Sequence, residues 1–200
     1  MAANNLRILY ANKLTGVSGG TNPANALTDY KSQWATGTTF TLTTSSISGP
    51  VVVVAMLTED TASINMRVVT TGTNDLVSDT TASVVGSAAV GFGGGKYVAL
   101  YTTLDSAVTS FTITFSRSVK VSRFLVGNYW VPEHNTSFGV QTGYADSSQY
   151  ERLHSGDLYA TPGPRHKTLS FSLEYLTDAD KFKLFDILKT IGKSKPLSNP

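Results

Sequence analysis

The chain has 200 residues, of which 40% are hydrophobic and 15% charged, and it contains no cysteine. That length buries a sizeable core in one large all-β domain, or in one domain with a smaller companion, and it excludes a disulfide-stapled mini-protein, thiolate catalysis and cysteine-bearing metal sites. A net charge of +2, with no run of like charges, is too small for an electrostatic grip on nucleic acid or an anionic membrane.

The N-terminus, Met1-Ala-Ala-Asn-Asn-Leu-Arg-Ile-Leu-Tyr10, reads as a first strand. It has no basic region leading into an apolar stretch of signal-peptide length. Thr38–Thr44 alternates with a period of two, placing Phe40 and Leu42 on one face and threonines on the other. Val51–Leu57 is apolar on both sides, far shorter than the roughly 20 residues of a membrane helix, and is expected to be a central, buried strand. Ile64, Met66 and Val68 share one face of the next strand, and Phe111, Ile113 and Phe115 share one face of Thr109–Ser116. Val121–Val126 closes the series. Gly19-Gly20, Ser48-Gly49-Pro50, Thr71-Gly72 and Gly91–Gly95 supply turn chemistry between these runs. Many short antiparallel strands imply a β-sandwich of jelly-roll type over residues 1–126.

The character changes at residue 127: thirteen charged side chains fall in the first 120 residues and seventeen in the last 80. Gly127–Arg165 reads as a long irregular stretch carrying Tyr129, Trp130, Phe138, Tyr144, Tyr150 and Tyr159 among Gly, Pro, Asn and Ser. Planar side chains in such a stretch anchor a protein interface, cover the base of the sandwich, or stack on sugar faces. Tyr129, Trp130 and Phe138 are the candidate interface residues. Lys167–Tyr175 then alternates strictly, with Leu169, Phe171, Leu173 and Tyr175 on one side, as a strand does. The spacing next predicts a helix over 178–191, capped by Thr177, with Asp178 and Asp180 at its positive end and Gly192 beyond its last turn. Its stripe of Phe182, Phe185, Leu188 and, on the adjoining flank, Ile191 is expected to pack on the Leu169/Phe171/Leu173 face.

No catalytic constellation emerges from the motifs. Gly16-Val-Ser-Gly-Gly20 matches the pattern of a nucleophile elbow around Ser18, but no helical stripe follows it and the parallel βα alternation of a hydrolase is missing, so a turn is the better reading. Gly91–Lys96 fails the spacing of both phosphate-loop templates. His134, His154 and His166 have no i, i+4 metal-ligand spacing, although with Asp146 and Asp157 they could converge in space. No metal and no cofactor is therefore assigned. Trp34 reads more simply as a core tryptophan, but with Tyr97 it is also the candidate pair for stacking on a glycan.

Two stretches carry a resemblance. Leu6–Tyr10, Asn22–Asp29, Gln33-Trp34, Thr36-Gly-Thr38 and Phe40-Thr-Leu42 are similar to the opening of discoidin-type, galactose-binding-like sandwiches of phage virion proteins. Gly127–Pro132, Gly156–Leu158, Gly163–Arg165, Leu169–Leu173, Leu176-Thr177 and Gly192–Pro196 resemble the C-terminal segment of the same tail proteins. The resemblance implies a structural, non-enzymatic component of a long-tailed phage virion, near the distal tail protein, that forms a hexameric ring joining the tail tube to the tip or baseplate. Residues 127–200 would assemble the ring, chiefly through the strand-helix unit of residues 167–191, and the sandwich would project outward. Other tail proteins would be its partners, with host glycans as a further one if the sandwich acts instead as a carbohydrate-binding module. The protein would be made in the bacterial cytoplasm and reside in the virion. Family chains continue as a further strand after the Lys195-Pro196 equivalent, so a shorter inner domain, or a strand supplied by a partner, is expected here.

Overall fold

A computed structural model describes residues 6–28, 33–58, 64–70, 80–82, 96–134, 141–146, 148–152, 158–161, 163 and 165–191. The protein is mainly β, its strand pairs are antiparallel, and the one α-helix among the described residues lies near the C-terminus. Two compact units divide the chain, one built on Arg7–Val131 together with Ile187–Ile191 and the other on Pro132–Asp186.

The first unit comprises β1 (Ile8–Asn12), β2 (Leu14–Ser18), a 3₁₀ turn (Pro23–Leu27), β3 (Ala35–Leu57), β4 (Ile64–Thr70), β5 (Thr80–Ala82) and β6 (Lys96–Trp130). β3 and β6 are far longer than ordinary strands because each passes through two layers. In one layer, residues 39–43 of β3 lie between β2 and residues 110–114 of β6, which pair in turn with β4, and β4 pairs with β5. In the other layer, residues 51–57 of β3 lie between residues 96–104 and 121–128 of β6, and β1 adds to the far side through Gly127–Trp130.

The phenylalanines join the layers. The Phe40 ring meets Phe124 of the opposite layer edge-on at a centroid distance of 5.2 Å, and Phe115 of its own layer at 6.2 Å. Around them Val51, Val53, Ala55, Leu57, Phe111 and Ile113 complete a dry interior, each large side chain contributing on the order of 1.5–3 kcal/mol of burial. The intervening Val52 and Val54 are equally buried, but on the other face of the same strand, with Leu9 and Leu125. Residues 51–57 thus form the central strand, apolar on both sides, that their composition implies.

Where β3 changes layers, Gly49 takes a left-handed φ of 77°, which glycine adopts without a Cβ clash. The Asn128 side-chain amide donates to the carbonyls of Ser48 and Pro50, at 2.8 and 3.1 Å, and so holds the bend from β6. Ser48-Gly49-Pro50 is therefore a corner within one strand, not the chain reversal expected of it. At Gly127, β1 approaches so closely that a Cβ would stand 1.7 Å from the Ala11 carbonyl oxygen. The sequence Gly-Asn, a loop signal in isolation, serves two tertiary needs here, and β6 runs on to Trp130.

The second unit holds β7 (Gln141–Asp146) paired with β10 (Arg165–Ser170), β8 (Gln149–Arg152) paired with β9 (Leu158–Thr161), and the start of α1 (Asp178–Ile191). Most of the described residues in the stretch 127–165, expected to be irregular, therefore lie in strands. β10 ends at Ser170, opposite the first residue of β7, because its ladder runs out there. Phe171 and Leu173 are half-buried, and Tyr175 is 71% exposed rather than on a buried strand face.

α1 occupies the residues expected, with the Asp180 amide donating to Thr177 Oγ1 at 3.2 Å as the cap. The Asp180 carboxylate is buried and accepts the Glu133 amide at 3.0 Å, and Ile187 is buried one turn pair further on. Phe182, Phe185 and Leu188, expected to cover the Leu169/Phe171/Leu173 face, are 76%, 70% and 48% exposed. The side chains of Leu169 and Ile191 lie outside the described residues.

Candidate interaction surfaces

Alternation along residues 96–104 turns Val98 and Leu100 inward and Tyr97, Ala99 and Tyr101 outward. Tyr129, from the neighbouring stretch of β6, comes up on the same outer face. The rings of Tyr101 and Tyr129 meet edge to face at 5.3 Å, and the Arg7 guanidinium sits 4.1 Å from the Tyr101 ring centre and 5.9 Å from that of Tyr129. Beneath lie Val52, Val54, Leu9 and Leu125, with Met56 at the margin. Burial raises the pKa of the Tyr101 hydroxyl above the ordinary tyrosine value, and the Arg7 charge only partly opposes that shift. The arrangement is an aromatic platform with a cation at one side, suited to stacking and apolar contact.

Tyr129 and Tyr97 therefore share one surface, although sequence reading assigned them to different roles. Arg7 and Tyr101 were not singled out; the Tyr-x-Ala-x-Tyr alternation of 97–101 was the signal that could have found them. Trp130, one residue on, points to the opposite side of β6 and is 8% exposed, which leaves almost no ring for a partner and corrects its place among the interface candidates. Phe138 lies outside the described residues.

Trp34 precedes β3 and is 41% exposed, not the core residue expected. Asn25 Nδ2 donates to its carbonyl at 3.2 Å, fixing the backbone beside the 3₁₀ turn, and the Lys120 ammonium stands 5.6 Å from its ring centre. The ring is held at the surface, flanked by a cation, because residues 35–37 pair with 119–121 and bring Lys120 alongside.

The most exposed aromatic surface belongs to the second unit. All four residues of β8 are exposed, and so are Tyr159, Ala160 and Thr161 of β9. In the β8–β9 register Tyr150 faces Ala160 and Glu151 faces Tyr159, so the two tyrosines project from opposite faces of the ribbon. They are 64% and 57% exposed.

The remaining motifs do not assemble. Ser18 ends β2, and the positive φ of Gly19 and Gly20 turns the chain toward the 3₁₀ segment, so no strand-to-α-helix elbow surrounds its hydroxyl. Gly91–Gly95, His154, Asp157 and the side chain of His166 lie outside the described residues; His134 is exposed, and Asp146 caps a local turn by accepting the Ser148 amide at 2.9 Å. Among the described residues no three His, Asp or Glu side chains gather as a metal site, and no helix is long and apolar enough to cross a membrane. Neither a family model, nor a curated protein, nor a solved structure matches this chain.

Proposed function

We propose that the chain is a structural component of a long-tailed phage virion, part of a tail-tip or baseplate ring similar to that of the distal tail protein, acting through assembly rather than catalysis. The resemblance of its opening and of its segment from Gly127 onward motivates the reading, and one observation carries it: the β8–β9 ribbon exposes a tyrosine on each face. A two-stranded ribbon is marginal in water by itself, and exposed tyrosines are the side chains that anchor protein interfaces. Such a ribbon is stabilised by insertion between neighbouring subunits. Partners are further copies in a hexameric ring, and the tube and tip proteins it would join; the location is the virion.

The mass of the purified protein by native mass spectrometry, followed by negative-stain imaging, tests this reading. A closed ring of several copies is the expected result, and Tyr150→Ser/Tyr159→Ser is expected to shift the population to smaller species with the melting temperature of the first unit unchanged. A chain that stays monomeric and is absent from purified tails sinks the reading.

A carbohydrate-binding module is the second reading, favoured by the exposed Trp34 ring beside Lys120. An oligomeric display on a glycan array, compared with Trp34→Ala, decides it: signals lost in the variant support the module, and a blank array removes it.

A further inference from the structure

The outward face of α1 reads, from its first turn to its last, Asp178, Lys181, Phe182, Phe185, Asp186 and Lys189, positions that recur at helical spacing on one side. Phe182 and Phe185 are 76% and 70% exposed, and Leu188 at their flank is 48% exposed. Lone apolar side chains at a surface are ordinary, but two phenylalanines one turn apart at this exposure, beside a leucine, form a patch that water does not favour.

The charges around that patch are antisymmetric about its centre. A second identical helix laid antiparallel, with a two-fold axis level with the 183–184 peptide, places Asp178 opposite Lys189 of the second copy, Lys181 opposite Asp186 of the second copy, and Phe182 against Phe185 of the second copy. Each relation occurs twice by symmetry, as an isologous contact requires. A parallel pairing in register sets Asp178 against Asp178 and Lys189 against Lys189, which is repulsive at both ends. Within the chain Lys181 also bonds Asp178 at 3.0 Å, but that pair is exposed and weak, so its ammonium can be shared across an interface at little cost.

We infer that the Phe182/Phe185 face of α1 is an interface between two copies of this chain, packed antiparallel about a two-fold axis. The aromatic pair buries on the order of 300 Å² per copy, against about 800 Å² for a stable standard interface, so the contact is weak by itself and effective where copies are already held together. The inference does not rest on the virion reading, because it follows from exposure and charge order in one helix.

The chain has no cysteine, so introduced thiols report the geometry directly. In the full-length protein Asp178→Cys/Lys189→Cys is expected to form a covalent dimer under mild oxidation, whereas Asp178→Cys alone is not. Within one helix those two positions are about 16 Å apart and cannot bridge. Sedimentation equilibrium provides the second arm: Lys189→Glu is expected to raise the dimer dissociation constant about tenfold, and Asp178→Lys/Lys189→Glu to return it to within about twofold of the parent. Phe182→Ser/Phe185→Ser, placed in the Asp178→Cys/Lys189→Cys background, is expected to abolish the cross-link with the melting temperature unchanged. Cross-linking by the single variant alone would show a parallel contact and overturn the inference. Absence of cross-linking in both, or loss of association that the double charge exchange does not recover, would assign the patch to a different protein and overturn it equally.

Discussion

Asn128 does work that its side chain alone can do: two amide protons reach two carbonyls on either side of the β3 corner. Asn128→Ala is expected to lower unfolding free energy by about 1–2 kcal/mol in urea titrations, since both acceptors lose their donor. Asn128→Asp, identical in shape, is expected to cost more at neutral pH, because a carboxylate then faces two carbonyl oxygens. Next to it, Gly127→Ala forces a methyl into the Ala11 carbonyl, and a loss on the order of 3 kcal/mol is expected in the same assay. Tyr101 gives a pH signature. Burial holds its proton more tightly in the folded state than the ordinary value of 10.0, with Arg7 pulling the other way. The stabilisation from the neutral hydroxyl is therefore complete below pH 10.0 and is lost as pH rises through the folded value. Tyrosinate absorbance should show a late-titrating component that Tyr101→Phe removes and Arg7→Gln pushes later still.

At the scale of elements, residues 51–57 make a sharp forecast. In a sandwich strand with one wet face, only alternate truncations are costly; here Val53→Ala and Val54→Ala are expected to destabilise alike, by about 1–3 kcal/mol each, because both faces are dry. A Val54→Ala cost near zero in chemical denaturation would contradict the two-faced burial. This strand was legible from sequence because an unbroken apolar run has no polar face to expose. So were the alternations of Phe40/Leu42 and Phe111/Ile113/Phe115, and the helix with its Thr177 cap, since each rests on local spacing. The corner at Gly49 and the continuation of β6 through Gly127-Asn128 were not, because Gly, Pro and Asn signal turns locally and only a distant strand supplies the partners that keep the chain extended. The stripe of α1 was read correctly as apolar, yet Phe182, Phe185 and Leu188 are exposed rather than packed on the face expected to receive them. Periodicity says that a face wants cover, and it is silent on whether the cover belongs to the same chain. The tyrosine platform was half legible: Tyr97 and Tyr129 stood out, but their meeting with Tyr101 and Arg7 depends on which stretches of β6 flank β3.

For the whole molecule, the contrast between units governs behaviour. The first has a dry interior and a second apolar layer outside it, whereas the second displays Tyr150, Tyr159, Tyr175, Phe182 and Phe185 to solvent. Under the proposed assembly, variants that disrupt it belong in the second unit, and stability variants belong in the first. Combining Tyr150→Ser/Tyr159→Ser with Phe182→Ser/Phe185→Ser is expected to yield a soluble monomer that melts at the parental temperature, checked by calorimetry and light scattering. A fall in melting temperature by several degrees would show that these side chains support the fold itself. One feature of the first unit also governs how the protein is made. β3 leaves the ribosome early, but both of its layers are completed by β6, whose last residues are Tyr129 and Trp130. Pairing of residues 51–57 is thus deferred until β6 has been synthesised, and this apolar run waits with its edges open; such non-local topology folds slowly and is exposed to mispairing. Nascent chains truncated before residue 121 should be protease-sensitive and chaperone-bound, and those extending past residue 130 should become resistant in a single step.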